Sequence, residues 1–99
     1  MRRSRVKLVL SARARAEYKA IRTYSLREFG APQASRYRQR FVETFERLLE
    51  FPEMGKAAEY IAPGMRRMPV GRHVVYYRQV RDAVLIVAIL HERQLPHGI

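Results

Sequence analysis

Residues 65–92, which read MRRMPVGRHVVYYRQVRDAVLIVAILHE, decide the fold of this chain. They contain three runs rich in β-branched and aromatic residues, namely 65–70, 73–80 and 83–91, separated by two-residue breaks. Such residues favour strands, and two residues are enough for a tight hairpin loop. The stretch therefore predicts a meander of three antiparallel strands. The last run is apolar at both odd and even positions, so we expect it to be covered on both faces.

The residues before the meander predict a strand and a helical hairpin. Residues 5–10 alternate between apolar and polar side chains, which is typical of a half-buried strand near a sheet edge. Ser11 is a good N-cap for a first helix over residues 12–29. Gly30 is suited to the end of that helix, and residues 32–50 carry the apolar stripe of a second one. The stripe of the first helix consists of Ala14, Tyr18, Ile21 and Tyr24.

The predicted order of elements is β-α-α-β-β-β. The two helices are antiparallel, because the link between them is short. Residues 53–56 predict a turn and residues 57–64 a loop before the meander. Two apolar stripes on one hairpin need a shared surface to cover, and the sheet supplies it. We therefore expect one α+β domain over residues 1–99, with a helical hairpin packed on one face of a small antiparallel sheet.

The composition narrows the classes of function. The chain has 99 residues, 47% of them hydrophobic, and no cysteine, which excludes a disulfide scaffold, a thiolate zinc site and a cysteine nucleophile. It has no glycine-rich phosphate loop and no metal-ligand spacing among its histidines, so we predict neither a cofactor nor a metal. No apolar run approaches the roughly 18 residues of a membrane span, and the basic N-terminus lacks the apolar core of a signal peptide. We therefore predict a cytoplasmic protein that does not enter a membrane.

The charge of the chain predicts an anionic partner. The formal net charge is +11, and most of the basic residues are arginines. The candidates are a nucleic acid, the ribosome or an acidic protein segment. Because the planar fork of arginine binds carboxylates and phosphates equally well, the charge does not choose among them. A plain nucleic-acid binder is disfavoured, since the sequence has no helix-turn-helix or RNP pattern.

A set of short motifs runs along nearly the whole chain. In order, they are Leu10-Ser11-x-x-Ala14, Ile21-x-x-Tyr24, Pro52-x-x-Gly55, Pro63-Gly64-Met65-Arg66, Gly71-Arg72-His73-Val74-Val75-Tyr76-Tyr77-Arg78 and Ile89-Leu90-His91-x-Arg93. In this set the chain resembles the ParE branch of the ParE/RelE toxin superfamily. The resemblance implies the toxin of a type II toxin–antitoxin system, which inhibits DNA gyrase by protein–protein contact and has no catalytic residues.

The resemblance also implies partners. A cognate antitoxin with an acidic amphipathic C-terminal segment is expected to neutralise the toxin. The two would form a hetero-oligomer that binds operator DNA through the antitoxin and serves in plasmid stabilization. The predicted partner contacts are cationic or titratable residues on the meander or at its exit: Arg66, Arg67, His73, Arg78 and Arg93.

The RelE branch supplies the alternative function, a ribosome-dependent endonuclease that cleaves messenger RNA. Such a metal-independent nuclease would use Arg66 and His91 together with Tyr76 or Arg78. Nucleases of that branch often carry arginine where this chain has Val74, which cannot stabilise the charge of a phosphate. Glu92, directly after His91, would repel a phosphate. The residues therefore favour the contact inhibitor over the nuclease.

Overall fold

The fold is a helical element packed on a five-stranded sheet in the computed structural model, which describes residues 6–99. In chain order the elements are β1 (Lys7–Leu10), α1 (Ala12–Glu50), β2 (Lys56–Ala57), β3 (Arg66–Val70), β4 (His73–Val80) and β5 (Ala83–His91). The strand order across the sheet is β1-β5-β4-β3-β2. The α+β fold is thus confirmed. Arg5, where the first strand was predicted to begin, and the residues before it lie outside the described part of the chain.

The predicted meander is confirmed. β3 pairs antiparallel with β4, and β4 pairs antiparallel with β5, so that His73 lies opposite both Val70 and His91. Gly71 has a φ of 58°, which lets the chain turn tightly between β3 and β4. A bulge at Tyr76 and Tyr77 shifts the register by one residue, and it leaves Val87 of β5 unmatched.

Two details of the predicted sheet are wrong. The sheet is mixed rather than antiparallel, because β1 runs parallel to β5 from Lys7 opposite Ala83 to Leu10 opposite Ile86. A parallel pair needs a long crossover, which α1 and the strands after it provide. The residues predicted as a turn and a loop also include β2, which pairs antiparallel with β3. Two residues are too few to leave an alternating pattern in the sequence.

The predicted helical hairpin is confirmed within α1. Gly30 has a φ of 84° and a ψ of 168°, so the helical path breaks there and the chain reverses. We call residues 12–29 the first arm and residues 31–50 the second arm. The arms are antiparallel, since the ring of Tyr18 lies 5.4 Å from that of Phe41 in edge-to-face contact.

The core occupies both faces of the sheet. On the face covered by the hairpin it consists of Ala14, Phe41, Phe45, Leu48, Val70, Val75, Tyr77, Val84, Ile86 and Ile89. The opposite, helix-free face carries a smaller cluster made of Ala58, Met65, Val74, Tyr76, Ala88 and Leu90. Ile61 and Ile99 pack against that second cluster, so the loop before β3 and the tail cover part of the helix-free face. β5 contributes to both clusters, which confirms that it is covered on both sides.

Side-chain bonds join the hairpin to β5 where β1 ends. Ser11 is the predicted N-cap, and its hydroxyl accepts a hydrogen bond from the N–H of Ala14 at 3.0 Å. The same hydroxyl donates to the carbonyl of Val87 at 2.8 Å. Two residues further along, the N–H of Ile89 donates to Oε1 of Glu17 at 2.8 Å. Ser11 and Glu17 therefore join the start of the hairpin to β5 and fix it in register with the sheet.

Candidate partner-binding surfaces

One group of predicted site residues meets at the corner where β4 begins. The rings of His73 and His91 lie edge to face, with centroids 5.4 Å apart. Nδ1 of His73 is 2.7 Å from the hydroxyl of Tyr37, which belongs to the second arm. Burial lowers the pKa of His73, and His91 lowers it further, while Glu92 opposes both effects. The corner is therefore built around a histidine whose neutral form is favoured.

Two exposed residues extend from this corner. Arg93 lies in the turn after β5, and its backbone N–H donates to Nδ1 of His91 at 3.1 Å. Glu92, beside it, lies 3.6 Å from the guanidinium of Arg72. Both partners of that ion pair are exposed, so it contributes little to stability. Of the two predicted contacts in this region, Arg93 is exposed and His73 is half-buried.

Arg66 lies at the far end of β3 and has a structural task. It is opposite Tyr77, on the hairpin side of the sheet. Its guanidinium donates to the carbonyl of Gly55 at 2.7 Å and to that of Glu53 at 3.3 Å. These charge-assisted bonds fix the turn after α1. Part of the hydrogen-bonding capacity of Arg66 is therefore already used within the chain.

Arg67 and Arg78 share the helix-free face. Arg67 is opposite Tyr76, and Arg78 follows Tyr76 by two residues on the same strand, so all three point to one side. Lys56 of β2 is opposite Arg67 and adds a third cation to this face. Nε of Arg67 is buried, and residues 6–99 offer it no hydrogen-bond partner. We call Lys56, Arg67 and Arg78 the cationic face.

The residues predicted for a nuclease do not converge. Arg66 and Tyr76 point to opposite faces of the sheet, since Tyr77, the register partner of Arg66, belongs to the cluster under the hairpin and Tyr76 belongs to the cluster on the other face. His91 is opposite His73, whereas Arg66 is opposite Tyr77, which is four residues further along β4. At about 3.3 Å per residue, that offset alone is roughly 13 Å. A reacting phosphate would need these groups within hydrogen-bonding reach of each other.

A groove between the two arms was not found from the sequence. It has a volume of about 360 Å³, and it is lined by Lys19, Arg22, Thr23, Leu26, Ala31, Ala34, Ser35 and Arg38. The groove forms where small alanine side chains of the second arm lie beside a larger side chain of the first arm. Its presence therefore depends on how the two arms pair. We call these residues the hairpin groove.

Two further observations limit the kinds of site. Within residues 6–99, no three histidine, aspartate or glutamate side chains are grouped so that they could hold a metal ion. In the same part of the chain, no helix combines the length and the apolar character that crossing a bilayer requires.

Comparison with known proteins gives a consistent family. Residues 8–96 match the family model described as the ParE toxin of the type II toxin–antitoxin system, parDE. Toxin ParE1 of Caulobacter vibrioides is 41% identical over 83 residues, which cover 84% of this chain and 85% of the relative. Toxin ParE of Escherichia coli is 33% identical over 86 residues, covering 86% and 84% of the two chains.

The fold has a close structural counterpart. A chain from the chromosomal ParDE toxin–antitoxin system of P. aeruginosa superposes with a TM-score of 0.73, covering 88% of this chain and 96% of that one. The two sequences are only 20% identical, so this likeness establishes the shared fold.

Proposed function

The chain belongs to the ParE toxin family of type II toxin–antitoxin systems, and from this premise we propose that it inhibits DNA gyrase by protein–protein contact. In this proposal the toxin acts in the cytoplasm, and it has no catalytic residues, metal or cofactor of its own. A cognate antitoxin neutralises it. A plasmid that carries the pair would be stabilised, because a cell that lost the plasmid would still need the antitoxin.

The observation that carries the proposal is the dispersal of the polar residues on the meander. Arg66 serves the turn after α1, Tyr76 is buried in the cluster on the other face, and His91 packs against His73. General acid–base catalysis requires such groups to surround one reacting atom. Inhibition by contact has no such requirement, because charges spread over a surface can each meet a different group of the partner.

The antitoxin is proposed to bind the helix-free side of the sheet and its β1 edge. β1 is an edge strand, and Val9, which faces away from the hairpin, is 41% exposed. An extended segment can add to such an edge through main-chain hydrogen bonds. Because β5 and β4 lie between this edge and β3, a further part of the antitoxin would continue across the helix-free face, where its carboxylates would pair with Arg67 and Arg78 of the cationic face. A segment that is disordered alone and folds on binding suits this open surface.

The remaining predicted contacts fit this proposal unequally. Arg93 and His73 lie at the other end of β5, where a longer antitoxin segment would reach them. Arg66 is partly occupied by its bonds to the turn, so it is the weakest of the five candidates. The complex would be hetero-oligomeric and would bind operator DNA through the antitoxin.

The experiment compares the two toxin activities directly. Purified protein is added to gyrase with relaxed plasmid DNA, and in parallel to a translating extract whose messenger RNA is mapped by primer extension. We expect loss of supercoiling and trapped gyrase–DNA complexes with intact transcripts. His91→Ala should leave inhibition within about twofold of the unmodified chain, since His91 is given no role in it. Cleavage of the message in the ribosomal decoding site, abolished by His91→Ala, would replace gyrase inhibition with the nuclease activity.

The antitoxin surface has its own test. Reversing the charge of both Arg67 and Arg78 to glutamate should weaken binding of the antitoxin encoded beside this gene by roughly tenfold or more. Raising the salt concentration should weaken the unmodified complex in the same direction, because exposed charge pairs are screened. Unchanged affinity in the double variant would remove the cationic face from the proposed interface.

A further inference from the structure

The hairpin groove has the charge and shape of a docking site for an acidic protein surface. Every charged residue among those that line it is basic, namely Lys19, Arg22 and Arg38. Three cations around one depression repel each other, and this repulsion is relieved when carboxylates enter between them. The lining also contains Ala31 and Ala34, whose small side chains leave room for an inserted side chain.

Exposed apolar residues continue from the groove to the tip of the hairpin. Leu26, which lines the groove, is 55% exposed. Tyr24 and Phe29 are 56% and 54% exposed, and their rings contact each other edge to face at 6.2 Å. The tip therefore presents two aromatic rings and a leucine to solvent beside the arginines. Aromatic residues and arginine are the types that contribute most to binding at protein interfaces.

The groove lies away from the side of the hairpin that packs on the sheet. On the first arm, Tyr18 and Ile21 pack against the core. Arg22 and Leu26 are displaced from that stripe by the helical spacing of about 100° per residue. Burial of the core therefore leaves the groove open, and its shape is set by two helices that are fixed to each other. Such a preformed concave surface suits a folded partner better than a segment that must first become ordered.

We propose that the hairpin groove, together with Tyr24 and Phe29, is the surface that docks on gyrase. The occupant would be an acidic patch of gyrase from which one apolar side chain projects between Leu26 and Ala34. This assignment rests on the proposed function, and it separates the target surface from the antitoxin surface on the other side of the sheet. Inhibition then needs no residue of the meander.

The test reverses two charges in the groove and two elsewhere. The groove variant carries Arg22→Glu and Arg38→Glu. The control carries Arg47→Glu and Arg81→Glu, which change the net charge equally at exposed positions outside the groove. Each protein is purified, its thermal unfolding is measured, and its inhibition of gyrase supercoiling and its affinity for the antitoxin encoded beside the gene are determined. A third variant, Leu26→Ser, tests the apolar contact without changing charge.

The expected result is a groove variant that folds and binds antitoxin normally but inhibits gyrase at least roughly tenfold less than the control. Equal inhibition by both double variants would overturn the groove assignment and leave gyrase inhibition standing. An unmodified chain without effect on gyrase would overturn the proposed function, and the assignment with it. A groove variant that lost antitoxin binding but still inhibited gyrase would give this surface to the antitoxin and overturn the proposal.

Discussion

The hydroxyl of Tyr37 lies 2.7 Å from Nδ1 of His73 and joins the hairpin to the first residue of β4. The same hydroxyl donates to the carbonyl of Val70 at 2.9 Å and accepts from the N–H of Arg72 at 3.2 Å. A hydroxyl has one proton, and since Val70 receives it, Nδ1 of His73 carries the hydrogen of the bond to Tyr37. One side chain of the second arm therefore holds both sides of the β3–β4 turn.

Replacing Tyr37 with phenylalanine should destabilise the protein. The change removes the shared hydroxyl and leaves two part-buried polar groups, the carbonyl of Val70 and Nδ1 of His73, without their partner, and it also removes the exposed bond from Arg72. This loss should lower the free energy of unfolding by about 1–3 kcal/mol. Chemical denaturation monitored by circular dichroism measures it. Tyr60→Phe is the matched control, because Tyr60 is 75% exposed. Equal stability of the two variants would show that the hydroxyl does not hold the turn.

Stability should fall as the pH falls through the range of histidine. Burial first, and then His91, lower the pKa of His73 in the folded protein. The unfolded chain therefore binds a proton more readily, so this contribution is fully present above a pH of about 6.5 and is lost as the pH drops below it. Thermal melts between pH 5 and pH 8 should show the decline. His73→Gln should flatten it, whereas His97→Gln, at an exposed position, should not. A decline that persists in His73→Gln would assign it to other groups.

Gly71 should tolerate a side chain much less well than Gly64. Both have positive φ, 58° and 77°, so alanine at either costs about 1–2 kcal/mol of backbone strain. A Cβ at Gly71 would also lie 2.5 Å from Cε1 of Tyr37, while a Cβ at Gly64 meets no atom of the described residues within 4 Å. Gly71→Ala should therefore lower the unfolding free energy by about 3 kcal/mol in total. Similar losses in the two alanine variants, measured by denaturation, would mean that Tyr37 moves aside at no cost.

How much of this molecule the sequence predicts depends on the range of the interaction. The meander, the Ser11 cap and the reversal at Gly30 follow from residues close together in the chain, and the structure confirms them. The parallel pairing of β1 with β5 joins distant residues, and no local pattern encodes it.

The tip of the hairpin, at the end of the first arm, also differs from what local patterns in the sequence predict. Helical spacing placed Tyr24 on the core stripe, but it is 56% exposed, and its neighbour Ser25 is 7% exposed. Residues 26–33 are all exposed, so the tip projects beyond the surface that the sheet offers. Helical periodicity indicates in which direction a side chain points, but it does not indicate how far the surface of the sheet that it could pack on extends. The exposed tip and the hairpin groove were missed for this reason.

Glu17 should contribute to stability through one backbone bond rather than through its charge. Its Oε1 accepts from the N–H of Ile89, and its Oε2 pairs at 2.8 Å with Nε of Arg13. Alanine at position 17 leaves the N–H of Ile89, in a buried residue, unpaired, which should cost about 1–3 kcal/mol. Glutamine keeps an acceptor there and loses only the ion pair, so Glu17→Gln should recover most of the difference.

Hydrogen exchange at the amide of Ile89 measures the bond directly: it should accelerate in Glu17→Ala and stay slow in Glu17→Gln. Glu43→Ala, at an exposed position on the second arm, controls for the loss of a carboxylate. If glutamine were as damaging as alanine, the contribution of Glu17 would lie in its charge and its pairing with Arg13, and the hairpin would be held to β5 by Ser11 without this second bond.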